Sequence, residues 1–462
     1  MLLTIEKLIY GGDGLARLPA GSPQERSPEN VPPGNEDRGR GKAVFVPFVL
    51  AGETIEAGIT QEKPGFARAQ ATAIIEPSPH RIPPPCPYFT RCGGCHYQHA
   101  SYEHQLEIKK EILRENLRRI AKLELQCEIE VHPSPPWNYR NRSRLQVRTR
   151  PEFAMGYFKF SSHELLTVEE CPISSPLINR GIAALWKSGR AGQAVEGVRE
   201  VEFFTNSDDS KMLVEFLCVP EARRAAVRAW AEELCESMPE IAGVTAFREP
   251  QKGVQEPLVT VGAADLTYQT LISQTKTAAY RVSAGSFFQT NRFLTDKLID
   301  IVTAGRSGDL ALDLYAGVGL FSTALACNFR HILSVESSQT AAADLQYNLP
   351  GNGKAVQASA DQYLAGRTAL PPDKREDKRE DKPGDKPDLV VLDPPRSGLG
   401  DSVARALASL AAPRVTYVSC DPATLARDLV PLLAAGYGVE RAHMLDLFPQ
   451  TYHLESVLQL VR

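Results

Sequence analysis

Nine cysteines are spread along the 462 residues, and their spacing separates them by the chemistry they can do. Cys86, Cys92 and Cys95 lie within ten residues in "CPYFTRCGGCHYQ", a C-x5-C-x2-C cluster, and "VEECPI" offers Cys171 in a proline-flanked turn as a fourth. Four thiolates suit zinc or an iron–sulfur cluster, and spacing alone does not separate the two. A disulfide pair is the plainer alternative, disfavoured in a reducing compartment. Cys420, in "VSCDPATLARD" (418–428), stands alone at the end of an apolar strand. Such a cysteine is by default a small buried residue, and the rest of the chain must supply the case for a nucleophile. Cys127, Cys218, Cys235 and Cys327 sit singly in apolar or helical contexts and read as packing residues.

A second group of residues has the pattern of a nucleotide-like cofactor site. "ALDLYAGVGLFSTALA" reads as a strand, a glycine turn (Gly317, Gly319) and a helix. Glycines allow the backbone to approach a ligand, and the helix start favours a carboxylate or phosphate. Glu336 follows Gly317 by nineteen residues, at the end of the strand "ILSVE", where an acid can accept both ribose hydroxyls. The third glycine of G-x-G-x-x-G is missing, so a dinucleotide fits poorly. Asp361, after "AVQASA", is placed to reach an adenine amino group. Asp393 ends the strand in "VVLDPPRSG", where the Asp-Pro-Pro turn stiffens the backbone at the strand edge that binds ligands in open α/β sheets. These pieces resemble class I S-adenosylmethionine-dependent methyltransferases.

The third group is basic. "YRNRSRLQVRTR" puts Arg140, Arg142, Arg144, Arg148 and Arg150 on even positions, one face of a strand, with Leu145 and Val147 on the other. That face suits a phosphate backbone, and nearby Trp137 and Tyr139 could stack bases. The competing reading pairs it with acids on neighbouring strands.

The elements that must hold these groups follow from the apolar pattern. Residues 1–75 read as an all-β domain, interrupted at 19–41 by a Pro-, Gly- and charge-rich hairpin insertion. Residues 76–270 read as a mixed α+β domain. Within it a helix spans about 101–123, with Leu106, Leu113, Leu117 and Ile120 on one face. Residues 271–462 alternate short apolar strands with helices, the pattern of a parallel α/β sheet, interrupted at 371–387 by a charged near-repeat read as a disordered loop. A composition of 43% hydrophobic and 23% charged residues is that of an ordinary soluble protein, and no run approaches the roughly 20 apolar residues that span a membrane. The absence of a secretory signal pattern predicts a cytoplasmic protein, and a net charge of −4 confines nucleic-acid attraction to local patches.

The order of motifs is itself distinctive: C-x5-C-x2-C with the distant "CPI", "SFFQTN" (286–291), "DLYAGVGLF", "DPPRSG", "VSCDPATLARD" and "FPQTYHLES". It resembles the RNA uracil-5-methyltransferases, specifically the iron–sulfur 23S ribosomal RNA branch, over essentially the whole chain apart from the two insertions. The N-terminal domain is similar to a TRAM domain, an OB-like RNA-binding barrel. The resemblance implies a C-terminal Rossmann-like methyltransferase domain and a [4Fe–4S] cluster on Cys86, Cys92, Cys95 and Cys171. It also implies methyl-donor or base contacts from Gln289, Tyr315, Glu336 and Asp393, Cys420 as nucleophile and Glu455 as base. The final motif often reads H-T-x-H-x-E in that family. Gln450 stands here at the first histidine, with His453 and Glu455 retained.

Chemistry asks for the same residue types. Uracil C5 is a poor nucleophile, and a thiolate adding to C6 creates an enolate whose C5 is nucleophilic. The C5 proton must then leave to a positioned base, and a base inside folded RNA must first be flipped out. The expected partner is RNA, 23S rRNA first and tRNA as the alternative substrate, and the expected state is a monomer without membrane contact. A non-catalytic TRAM-containing RNA-binding protein is the remote alternative, since it has no need of Cys420 and Glu455.

Overall fold

The computed structural model describes residues 1–18, 41–249, 257–273, 275–368 and 386–462. Apart from residues 41, 386 and 387, the two charged insertions expected at 19–41 and 371–387 lie outside the described residues. The chain divides into two compact units, residues 1–112 with 450–453 and residues 113–449 with 454–462.

The first unit carries a six-stranded sheet ordered Leu2–Thr4, Thr54–Glu62, Phe66–Glu76, Ala43–Pro47, Asp13–Arg17, Lys7–Leu8. Its two edge strands, Leu2–Thr4 and Lys7–Leu8, are consecutive in sequence, so one segment of chain supplies both edges. Alternation puts Leu3, Val44, Val46, Ile55, Ala57, Ala67 and Ala69 inside.

Helix Tyr102–Ile120 straddles the division between the units. Its buried positions are Gln105, Ile108, Lys109, Ile112, Leu113 and Leu117, while Leu106 is half-buried and Ile120 is 41% exposed. The predicted stripe was therefore rotated. Two polar residues, Gln105 and Lys109, occupy the face that the leucine spacing alone assigned to apolar ones.

The second unit holds two large sheets. The seven-stranded one runs Leu165–Thr167, Ala154–Phe158, Arg142–Arg148, Val198–Thr205, Met212–Cys218, Ile241–Arg248, Pro257–Gly262. Its one parallel pair, Met212–Cys218 with Ile241–Arg248, is bridged by helix Arg224–Ser237. That helix and Pro176–Arg190 bury Trp230, Leu185 and Trp186 in one core with Phe203 and Phe216 of the sheet.

The eight-stranded sheet is ordered Gly353–Gln357, Phe329–Glu336, Gly308–Leu314, Leu389–Leu392, Arg414–Ser419, Glu455–Val461, Gly438–Leu445, Ile129–His132. The first five strands are parallel, as the β/α alternation predicted. Glu455–Val461 is antiparallel to both neighbours. The edge strand Ile129–His132 belongs to this sheet although it precedes every strand of the seven-stranded one, and the boundary drawn at 270 falls inside strand Asp265–Ser273. Strand pairing between distant segments leaves no local trace in sequence, so the sheet that Ile129–His132 joins could not be read from its place in the chain.

Candidate active site

The strand order reverses beside Gly308–Leu314, which lies between Phe329–Glu336 and Leu389–Leu392, and ligands of open α/β sheets bind at such a switch. The C-terminal ends of the parallel strands bring Tyr315, Gly317, Glu336, Asp393 and Cys420 to one edge. Tyr315, Gly317 and Gly319 all take positive φ (62°, 55°, 94°), a left-handed turn that only glycine adopts without strain. A Cβ on Gly319 would lie 2.9 Å from Leu345, whereas one on Gly317 would meet nothing within 4 Å. Gly319 is thus needed for packing, and Gly317 faces open space. Glu336 Oε2 accepts from the Gly317 N–H at 2.9 Å and Oε1 from the Ser338 N–H at 2.7 Å, so its carboxylate is held in place at the crevice. Burial raises the Tyr315 hydroxyl, and the charges of Asp428 and of Asp361, in the first turn of helix Ala360–Thr368, add to the rise. Gln289 Nε2 donates to Asp393 Oδ2 at 3.3 Å.

Glu455 reaches the same edge by a different route. Its strand is antiparallel to Arg414–Ser419, and Ser456 pairs with Ser419, so the first residue of one strand stands beside the residue following the other. Cys420, Glu455, Asp393 and Arg396 therefore share one electrostatic environment. Burial pushes the Cys420 thiol up to about 12, with Glu455 and Asp393 adding to the rise and Arg396 opposing it. Burial also holds Glu455 well above the carboxylate range, Asp393 reinforcing it, and burial plus Asp313 lifts Asp393 to about 7.

The helix that follows Cys420 does not offset this rise. Helix Pro422–Ala434 is capped by Asp421, whose Oδ1 accepts from the Ala423 and Thr424 N–H groups at 2.9 Å each, so those donors are already taken. The carboxylates facing the sulfur repel the anion besides. Asp428 is buried and accepts from the Leu399 N–H at 2.6 Å and the Tyr417 hydroxyl at 2.9 Å, tying the loop after Asp393 to the Cys420 strand.

The free protein should consequently alkylate slowly at Cys420. At pH 8 its iodoacetamide rate, followed by peptide mass spectrometry, is expected to be roughly 40–100-fold below that of an ordinary thiol of pKa about 8.5, the lost thiolate fraction being partly offset by the higher nucleophilicity of a more basic thiolate. Glu455→Gln, which removes one of the two carboxyl groups that add to the thiol's rise, should raise the rate; an unperturbed rate in the unsubstituted protein would show that the carboxylates do not control the thiol.

Several supporting residues escaped the sequence reading. Arg396, three residues after Asp393, opposes the rise of the thiol, and the "DPPRSG" motif contained it in plain view. Asp344 is fully buried and accepts from Arg281 Nε (2.8 Å), Ser283 Oγ (2.7 Å), Ser283 N–H (2.9 Å) and Ser286 Oγ (2.7 Å). It anchors the segment that leads to Gln289. Gln450, the departure noted in the last motif, exchanges reciprocal 3.0 Å bonds with Gln105, and its carbonyl accepts from the His96 and Tyr97 N–H groups. In this tie within the first unit the Gln105 amide both donates and accepts, while Gln450 supplies its side-chain Oε1 as acceptor and its backbone N–H as donor.

The arginine stretch is largely turned to internal pairing. Arg140 precedes strand Arg142–Arg148, and its guanidinium lies beside Tyr139, Tyr157 and Cys171. Arg142, only 11% exposed, pairs with Glu202 at 2.7 Å and covers the Phe204 ring. Arg144 pairs with Glu202 and Glu200 on the same adjacent strand at 2.7 and 3.5 Å. Arg150 pairs with Glu196. Arg148 is exposed and makes no ion pair among the described residues. Tyr139 is fully buried, its hydroxyl donating to the Pro449 carbonyl, so it presents no face to a base. Alternation aligned the charges correctly; the matching glutamates on Val198–Thr205 could be matched to them only once the strands were paired.

None of the nine cysteines is in a disulfide. Cys86, Cys92 and Cys95 lie in the first unit, where the Gly94 N–H donates to Cys92 Sγ at 3.4 Å. Cys171 lies in the second, its N–H donating to Asn179 Oδ1 and its carbonyl accepting from Asn179 Nδ2.

Comparison with known proteins adds the following. Residues 101–462 match the model of the tRNA (uracil-5-)-methyltransferase family, and residues 1–72 match the TRAM domain. A 23S rRNA (uracil(1939)-C(5))-methyltransferase of Chromohalobacter salexigens is 31% identical, over 100% of this chain and 89% of that one. An RNA methyltransferase of Aquifex aeolicus is 30% identical over 99% and 97%. The crystal structure of Pyrococcus abyssi tRNA (uracil-54, C5)-methyltransferase in complex with S-adenosyl-L-homocysteine superposes with a TM-score of 0.69 at 23% identity, covering 100% of both chains.

Proposed function

Because the chain belongs to the tRNA (uracil-5-)-methyltransferase family and carries a TRAM domain, we propose that it is a cytoplasmic, monomeric enzyme that forms 5-methyluridine in 23S rRNA. The observation that carries the catalytic assignment is the meeting of Cys420 and Glu455, 35 residues apart, beside Asp393 through the antiparallel pairing of their strands. The substrate assignment rests on relatives named for that activity, such as the one from Chromohalobacter salexigens.

S-adenosylmethionine fits the crevice: Gly317 faces open space, Glu336 is held at the strand end where it would accept the ribose hydroxyls, and Gln289, Tyr315, Asp361 and Asp393 would hold the rest of the donor. When bound it supplies an electrophilic methyl group. The Cys420 sulfur adds to uracil C6, its proton passing to Asp393 so that Glu455 stays free as the later base, and the C5–C6 electron pair becomes available at C5. After C5 is methylated, Glu455, whose burial makes it a stronger base than an exposed carboxylate, takes the C5 proton. Cys420 then leaves C6 as the double bond re-forms. The C-terminal sheet edge must receive a flipped-out base for any of this to occur.

Cys86, Cys92, Cys95 and Cys171 are read as ligands of a [4Fe–4S] cluster. Unbridged thiols and the Gly94 N–H directed at Cys92 suit anionic sulfur. No step of the methylation is a redox step, so the cluster's contribution is to the fold. Brown colour lost in Cys92→Ser supports it, and zinc in its place on elemental analysis would overturn it.

For RNA, Arg148 and the exposed side of Arg144 are the contacts retained from the basic stretch. Arg148→Glu should weaken RNA binding and reduce the salt dependence by about one counterion's worth of slope. The deciding experiment for substrate is mass-spectrometric mapping of 5-methyluridine after deletion of the gene. Loss of a single 23S rRNA site is expected, and loss confined to tRNA would redirect the assignment.

A further inference from the structure

A second cluster of chemically capable side chains lies at the far edge of the eight-stranded sheet. In a strand, residues i and i+2 share a face, so Glu130 and His132 of Ile129–His132 point the same way. The parallel pairing with Gly438–Leu445 sets His443 opposite Glu130. Three donors converge as a result: His132 Nε2 lies 3.2 Å from His443 Nδ1, and His443 Nδ1 lies 3.5 Å from Glu130 Oε2. All three atoms lie within 4.8 Å of one another.

We propose that Glu130, His132 and His443 bind one divalent transition-metal ion, Zn²⁺ first among them. Zinc takes nitrogen at about 2.0–2.1 Å and carboxylate oxygen at about 2.0–2.2 Å, so neighbouring donors on a tetrahedron stand roughly 3.3–3.5 Å apart. The two observed separations bracket that edge. As hydrogen bonds they are at or beyond the long limit, and an ion between the donors accounts for the spacing better than a direct bond. His443 Nε2 is buried without a partner, which leaves Nδ1, facing the other two groups, as its ligating atom. The set is therefore two imidazole nitrogens and one carboxylate oxygen, donor types that zinc takes. The charged groups facing the pair are Lys297 and Asp300 of helix Thr295–Thr303, together with Arg441. Two histidines and one carboxylate leave a fourth position for water.

The site's effect is mechanical. His132 and His443 are separated by 311 residues, and an ion held by both fastens the edge strand to the strand that precedes the Glu455 turn. Closing so long a loop restricts the unfolded chain more than the folded one.

The test uses the full-length protein, stripped of metal and restored with Zn²⁺, with elemental analysis and thermal unfolding as readouts. The unsubstituted chain should retain one equivalent more than His132→Gln. Its melting temperature should rise with Zn²⁺, a rise lost in His132→Gln and diminished in Glu130→Gln. Glu130 is exposed and His132 half-buried, so circular dichroism should show both variants folded. Because the cysteine cluster also binds soft metals, the comparison is repeated in Cys92→Ser, where the same single equivalent should persist. Cobalt in that background should give four-coordinate visible bands without a thiolate charge-transfer band. Equal metal content and equal melting in His132→Gln and the unsubstituted chain would overturn the proposal, as would disappearance of the equivalent in Cys92→Ser.

Discussion

Cys420→Ala is expected to abolish methyl transfer, lowering the rate by at least about 10³-fold, because without the sulfur no route remains to make uracil C5 nucleophilic. The companion variant separates the two roles. Glu455→Gln keeps the nucleophile and loses the base, so the chemistry should proceed through addition and methylation and then stop with RNA still bonded to Cys420. A protein–RNA band that survives denaturing electrophoresis, contains the transferred methyl and is absent from the double variant Cys420→Ala/Glu455→Gln is the expected product. If Glu455→Gln turned over normally, another group would have to be the base, and Asp393, held near neutrality in the same environment, would be the first to examine. The test is sharpened by the raised thiol: the resting site is protected against adventitious alkylation, and reactivity must rise when a substrate occupies it.

Asp344→Asn is expected to be the most damaging conservative change outside the reacting groups. The carboxylate accepts four bonds within 2.9 Å and is paired with Arg281, whose side chain is 28% exposed. An amide keeps one acceptor oxygen and turns the other into a donor that faces donors. Breaking a buried pair in this way costs roughly 3–5 kcal/mol. Denaturant unfolding should show a loss of that size. Activity measured below the transition should show a raised KM for the methyl donor, since Ser286 is released and Gln289 lies three residues beyond it. Ser286→Ala, which removes a single bond, should cost only about 1 kcal/mol. Equal losses for the two variants would mean that Asp344 does no more than that one bond.

The catalytic elements were the most legible part of the chain. Short apolar strands ending in Gly317, Glu336, Asp393 and Cys420 announce a parallel sheet, since a strand buried on both faces must be apolar throughout and its ligand-facing residues must fall at its end. The helix at 101–123 was legible as a helix, but its buried face was not. The leucine spacing ignored Gln105, whose amide is satisfied by Gln450, the Tyr97 carbonyl and the Ala100 carbonyl. Polar residues enter a core only when distant partners receive them, and those partners are invisible from the helix itself.

By itself the sequence determined the residue types and their local periods: the thiol and the acid, the glycine turn, the cysteine spacing, the alternating arginines. Each depends on interactions over a few residues, which the chain writes out in order. Tertiary structure alone decided what stood next to them. It set Glu455 beside Cys420 through an antiparallel register, placed Asp393 where it raises the thiol, and matched Glu200 and Glu202 to the arginines. It also brought Glu130 and His132 to His443 across 311 residues. Charge and reactivity depend on distances through space and on exclusion of water, and both are properties of the folded chain.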